Sequence, residues 1–130
     1  MPYELAIKQL RENWPVEKML GCCAKVSRDL GEILQEQFPN QGVFTALSVN
    51  LDGVAPVFFA RHHVTVVQED EQRFVALDAT RPAYEKGQTC WTLRAESEND
   101  LMKKLNQHYT GDWRLYQKYD PINSVFIEIK

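Results

Sequence analysis

Along the first third of the chain the apolar residues recur at helical steps, and beyond residue 42 they recur at strand steps. In 3–14, Leu5, Leu10 and Trp14 stand among charged residues and predict an amphipathic helix that Pro15 stops. In 22–38, Cys23, Val26, Leu30, Ile33, Leu34 and Phe38 fall at three- and four-residue steps, with Lys25, Arg28, Asp29, Glu32 and Glu36 elsewhere. This is the strongest helical pattern in the chain. Gly21 gives it a flexible entry, and the turn residues Pro39, Asn40 and Gly42 end it.

The β-type pattern begins with a strand over 43–49 and a turn over 50–53. Two β-branched and aromatic runs, 57–67 and 73–78, flank the polar stretch 68–72 and predict an antiparallel hairpin. A loop containing Pro and Gly follows over 79–88, then a short strand over 89–93. Ser97, with Asp100 three residues on and Leu101, Met102 and Leu105 behind it, announces a helix over 98–109. Alternation over 124–129 predicts a last strand. Helices come first and strands follow, so the expected class is α+β, one domain over 1–130, with N-terminal helices packed on an antiparallel sheet.

Composition narrows the partners. The 130 residues suffice for a core without metal or disulfide staples, and 44% hydrophobic with 25% charged residues is a globular balance. A net charge of −3 with no basic stripe argues against a nucleic-acid partner. No apolar stretch reaches bilayer length and the N-terminal residues do not read as a secretory signal, so no membrane partner is expected. The expected location is cytoplasmic, or a target cell reached through a specialised secretion system. Three cysteines, two of them adjacent, make no disulfide framework, and the thiols are expected to be reduced.

The chemistry lies in a coincidence: a cysteine in the first turn of the strongest helix, a histidine on a later strand, and Asp78 ending the strand after it. A helix N-terminus and an imidazolium together lower a thiol pKa from about 8.5 to roughly 3.5–7.5, which supplies a nucleophilic thiolate. A strand histidine can move the proton, and a carboxylate on the neighbouring strand can fix its tautomer. Both partners come as doublets. Cys22 and Cys23 point about 100° apart on a helix. On alternating strands Asp78 shares a face with Ala76 and Phe74, His63 with Thr65 and Val67, and His62 with Val64 and Val66. Matching the less aliphatic faces sets His63 against Asp78, with His62 as the alternate.

The run from Gly21 to Leu30, GCCAKVSRDL, resembles the G-x-C-x-x-x-[SA]-x-x-[LW] opening of papain-like bacterial effector proteases when Cys23 takes the nucleophile's place, with Cys22 the alternate. His62 to Val67, and then Phe74 to Pro82, are similar to the H-x-W-x-x-V and W-V-x-L-D-P-T segments of transglutaminase-core proteins. Ala79 stands where that motif has proline, and Glu17 and Asn13 stand near where papain-like proteases carry an oxyanion-hole glutamine. The resemblance implies a papain-like or transglutaminase-core fold and a Cys23, His63, Asp78 triad. It also implies cysteine-dependent acyl transfer on a protein or peptide amide, as peptidase, glutamine deamidase or transglutaminase. Compact members of this kind are toxins or effectors, which implies a protein or peptide substrate and a cognate immunity or inhibitor protein. No cofactor and no metal are expected; a zinc site from Cys22, Cys23, His62 and His63 is the competing reading, disfavoured because adjacent ligands wrap a metal poorly. The oxyanion donor is left open, with backbone N–H groups at the start of the Cys23 helix able to supply part of it. Cys90 is expected in the core and His108 on the surface. Trp14, Trp91 and Trp113 are expected as core anchors, with Trp91 placed to line a cleft. The competing class is a binding module that keeps the fold without the activity.

Overall fold

The computed structural model of the protein describes residues 2–19, 21–49, 61–81, 90–109 and 111–129. Its elements are α1 (Glu4–Asn13), a 3-10 turn (Val16–Lys18), α2 (Cys23–Gln37), β1 (Gly42–Val49), β2 (Arg61–Asp70), β3 (Arg73–Asp78), β4 (Trp91–Ala95), α3 (Glu98–His108), β5 (Asp112–Asp120) and β6 (Val125–Glu128). The strands form one antiparallel six-stranded sheet in the order β4-β3-β2-β1-β5-β6. The class is therefore α+β. The expected turn over 50–53, the start of the hairpin at 57–60 and most of the 79–88 loop lie outside the described residues.

Both faces of this sheet are buried. On one, α1 and α2 cover Val43, Val67, Val75 and Leu77, with Tyr3, Ala6, Ile7, Leu10, Val26, Leu30 and Leu34 completing the core. On the other, α3 lays Leu101 and Leu105 over Phe44, Ala46, Val64, Val66, Phe74 and Ala76. Ser97 starts α3 as expected, its Oγ accepting the Asp100 N–H at 3.0 Å. The buried stripe of α2 follows the sequence pattern. That of α1 does not: Leu5 is 67% exposed, and the stripe that faces α2 is Tyr3, Ala6, Ile7 and Leu10.

Two expectations are corrected. The first strand of the hairpin does not end at Val67: β2 continues to Asp70 through a register shift after Gln68, and the turn is only Glu71 and Gln72. Asp70 makes that short turn workable by accepting the Gln72 N–H (2.8 Å) and the Arg73 Nε–H (2.6 Å). The second correction is β5, which the sequence pattern left without an element. Thr45 pairs with Gln117 but Ala46 with Leu115, so Tyr116 is an extra residue in β5. A bulge of this kind changes the phase of side-chain alternation mid-strand, and Trp113 and Leu115 cease to match Tyr119 in period two.

Candidate active site

The α2 helix begins at Cys23 over the start of β2 and runs the same way. Cys23 Sγ lies 3.8 Å from His63 Nδ1, and four residues on the buried Thr65 hydroxyl donates to the Ser27 carbonyl at 2.8 Å. These two contacts fix the helix start against one end of the sheet. The chain enters the helix through Gly21 at φ +78, a left-handed backbone that favours glycine, and the Cys22 N–H donates to the Met19 carbonyl at 2.9 Å. Cys23 is buried and faces the strands, whereas Cys22 is half-buried and packs toward the core beneath α1.

At the same end of the sheet, His62 Nε2 donates to Asp78 Oδ2 at 2.8 Å, with both side chains 1% exposed. The expectation that His63 faces Asp78 is thus overturned in favour of the alternate. Thr65 pairs with Leu77, Val66 with Ala76 and Val67 with Val75, so residues of like parity lie across from one another. His62, Val64, Val66, Ala76 and Asp78 consequently share the α3 face, while His63, Thr65 and Leu77 share the α2 face. Matching faces by aliphatic content failed because α3 buries the second face as well.

Asp78 is held by a ring of donors. Its Oδ1 accepts the Thr80 N–H (3.0 Å), the Thr80 hydroxyl (2.8 Å) and the Arg81 N–H (3.2 Å). Its Oδ2 accepts the Tyr109 hydroxyl at 2.5 Å beside the bond from His62. Tyr109 and Trp113 pack on the imidazole of His62, with ring centroids 5.0 and 6.1 Å away. Thr80 belongs to the Leu-Asp-x-Thr strand end already legible in sequence. Tyr109 was missed; it caps the C-terminus of α3, 31 residues from Asp78, and no spacing rule connects the two.

The electrostatics follow from these contacts. Burial pushes the Asp78 carboxyl up, but the charge and hydrogen bond of His62, with Tyr109 and Thr80, outweigh it and hold the pKa at about 2. Burial pushes His62 down, and the Asp78 carboxylate overrides it, raising the imidazole from 6.5 to about 9. For Cys23, burial again opposes the charge, and hydrogen bonds from His62 and His63 bring the thiol down from 9.0 to about 6. With Nε2 bonded to Asp78, a proton exchanged between His62 and the sulfur must pass through Nδ1. Near neutral pH these shifts place a thiolate beside an imidazolium braced by a carboxylate. Cys90 goes the other way, because burial and then the Asp78 charge push it up to about 12, and it remains a thiol.

Of the remaining candidates, Trp113 is buried as expected. Trp14 is half-buried, its indole N–H donating to Asp29 Oδ2 at 2.7 Å. Trp91 is half-buried, with the exposed His108 at 5.1 Å and Tyr109 at 5.2 Å. Among the described residues no group of three or more His, Cys, Asp or Glu is arranged to hold a metal ion, and no helix is long and apolar enough to cross a membrane. A cleft of about 910 Å³ lined by Asp70, Gln72, Arg73, Glu96, Ser97 and Asp100 lies at the hairpin-turn end of the sheet, away from the sulfur. No protein-family model, curated protein or solved structure matches the chain.

Proposed function

We propose that the protein is a thiol enzyme of the papain and transglutaminase type that transfers an acyl group from a protein or peptide amide through a thioester on Cys23. The observation that carries this reading is the gathering of three groups at one end of the sheet: Cys23, its Sγ 3.8 Å from His63 and its thiol lowered, and the raised imidazole of His62 bonded to the lowered Asp78 carboxylate at 2.8 Å. The Cys23 thiolate attacks the amide carbon, forming the C–S bond and an oxyanion. The His62 imidazolium then gives its Nδ1 proton to the departing nitrogen as the C–N bond breaks. Water or an amine next loses a proton to His62 and attacks the thioester carbon, and the C–S bond breaks to release the acyl product and restore the Cys23 thiolate. Asp78 keeps Nε2 protonated throughout and stabilises the imidazolium.

The oxyanion falls to backbone N–H groups in the first turn of α2. The first N–H groups of a helix lack acceptors within it, and the Val26 N–H is already bonded to the Cys22 carbonyl at 2.9 Å. Water, as acceptor, makes the protein a peptidase or glutamine deamidase; an amine makes it a transglutaminase. The compact toxin or effector type, with a protein target and a cognate inhibitor, is the biological setting that the motif resemblance favours.

The test is to incubate the protein with glutamine-containing peptides and follow peptide cleavage, ammonia release and amine incorporation, alongside iodoacetamide labelling at pH 6. Ordinary thiols react slowly at that pH, whereas Cys23 is half ionised there. Selective labelling of Cys23, with loss of turnover, is the expected result. A Cys23 that labels no faster than Cys22 or Cys90 would return the protein to the class of binding modules.

A further inference from the structure

Asp78 Oδ2 serves two donors at once, His62 Nε2 at 2.8 Å and the Tyr109 hydroxyl at 2.5 Å. Behind it, Arg81 Nη1 donates to the same tyrosine oxygen at 3.3 Å, and the guanidinium carbon lies 4.9 Å from the Trp91 ring and 5.2 Å from the Tyr109 ring. A hydroxyl that accepts from a cation becomes a stronger donor to the next acceptor. From Arg81 through Tyr109 to Asp78, the three groups therefore form one polarised chain ending on the oxygen that holds His62.

We infer that Tyr109 and Arg81 are positioning residues that limit how strongly Asp78 holds the His62 imidazolium, and so set the upper pH at which the site can work. The inference rests on the thiol-enzyme reading only for that last consequence; the effect on His62 stands without it. The reason is competition. Each hydrogen bond donated to a carboxylate draws charge from it and leaves less to stabilise the imidazolium. With Tyr109 sharing Oδ2 and Thr80 and the Arg81 N–H on Oδ1, Asp78 braces His62 less firmly than a carboxylate with no other donor would.

The other groups facing His62 act differently. From α2, Cys23 raises it as a thiolate. Its neighbour His63 meets that sulfur from the α2 face of the sheet. Trp113 of β5 brings no titrating group, and Cys90, close enough to feel the Asp78 charge, stays neutral over the working range. Tyr109 and Arg81, like Thr80 on Oδ1, thus weaken the Asp78–His62 bond without touching the sulfur, and of these only Tyr109 shares Oδ2 with His62.

Tyr109→Phe keeps the ring that packs on His62, Trp91 and Trp113 and removes only the hydroxyl. The protein has three histidines, so the His62 imidazole can be followed directly by NMR titration of the full chain. Its midpoint is expected to move up by about half to one pH unit in Tyr109→Phe. A smaller upward move is expected in Arg81→Met, partly reversed in Arg81→Lys. The alkaline limb of turnover should move with it. If Tyr109→Phe does not fold, Arg81→Met decides. A folded variant whose His62 midpoint is unmoved or lowered overturns the inference, because a role in packing alone would change the melting temperature and not the titration. Because the titration needs no substrate, a shifted midpoint without turnover counts against acyl transfer and leaves the arm standing. Turnover with an unmoved midpoint does the reverse.

Discussion

Cys22 and Cys23 are chemically alike and one residue apart, yet about 100° of helix rotation separates a thiol turned toward the core from one turned to the His63 imidazole. Cys23→Ala should therefore abolish turnover while Cys22→Ala keeps most of it, measured as initial rates on the same peptide. The histidines split in the same way. His62→Ala removes the proton carrier and should cost roughly 10²–10⁴ in kcat; His63→Ala should cost less, because the imidazole that Asp78 braces is that of His62. Equal losses in the two histidine variants would break this division. Asp78→Asn should lower kcat far more than it raises KM, though by less than the roughly 10⁴ seen when a serine triad loses its carboxylate, since the thiolate and imidazolium are already paired at rest. It should also cost stability, by about 1–3 kcal/mol in denaturant melts, because the amide turns an N–H group toward donors that now meet a carboxylate oxygen.

At the scale of elements, the site depends on how α2 is pinned to β2. The buried Thr65 hydroxyl donating to the Ser27 carbonyl ties the helix to the strand one turn beyond Cys23. Thr65→Val keeps the shape and should cost about 1 kcal/mol of stability, with a loss of turnover larger than that destabilisation explains if the tie also aims the sulfur. An unchanged rate in a destabilised Thr65→Val protein would make the contact purely structural. On the other face, α3 carries Tyr109 at its C-terminus, and its Ser97 cap is far from the sulfur. Ser97→Ala should lower the melting temperature through a loss of about 1 kcal/mol while leaving kcat unchanged.

At the scale of the whole molecule, the pH dependence of stability distinguishes a coupled pair from two separate groups. His62, raised from 6.5 to about 9, alone would contribute stability that is full below about 6.5 and lost as pH rises through about 9. Cys23, lowered from 9.0 to about 6, alone would contribute stability present above about 9 and lost as pH falls through about 6. Between about 6.5 and 9 the folded protein holds one proton on the pair and the unfolded chain also holds one, so the two slopes cancel and their joint contribution is flat. Cys23→Ala removes the cancellation: its stability relative to the native protein should fall with rising pH above about 6.5, by up to about 1.4 kcal/mol per pH unit, until His62 deprotonates. Parallel stability curves for the two proteins from pH 6.5 to 9 would contradict the ion pair. The sequence by itself determined the order of helices and strands apart from β5, the helix start at the cysteine doublet, the capping of α3 by Ser97 and the strand end at Asp78, because each is written in residues within a few positions of one another. It could not choose His62 over His63, see β5 through its bulge at Tyr116, or join Tyr109 to Asp78. Those depended on cross-strand register, on α3 burying the second face of the sheet, and on contacts between residues tens of positions apart, which local spacing does not encode.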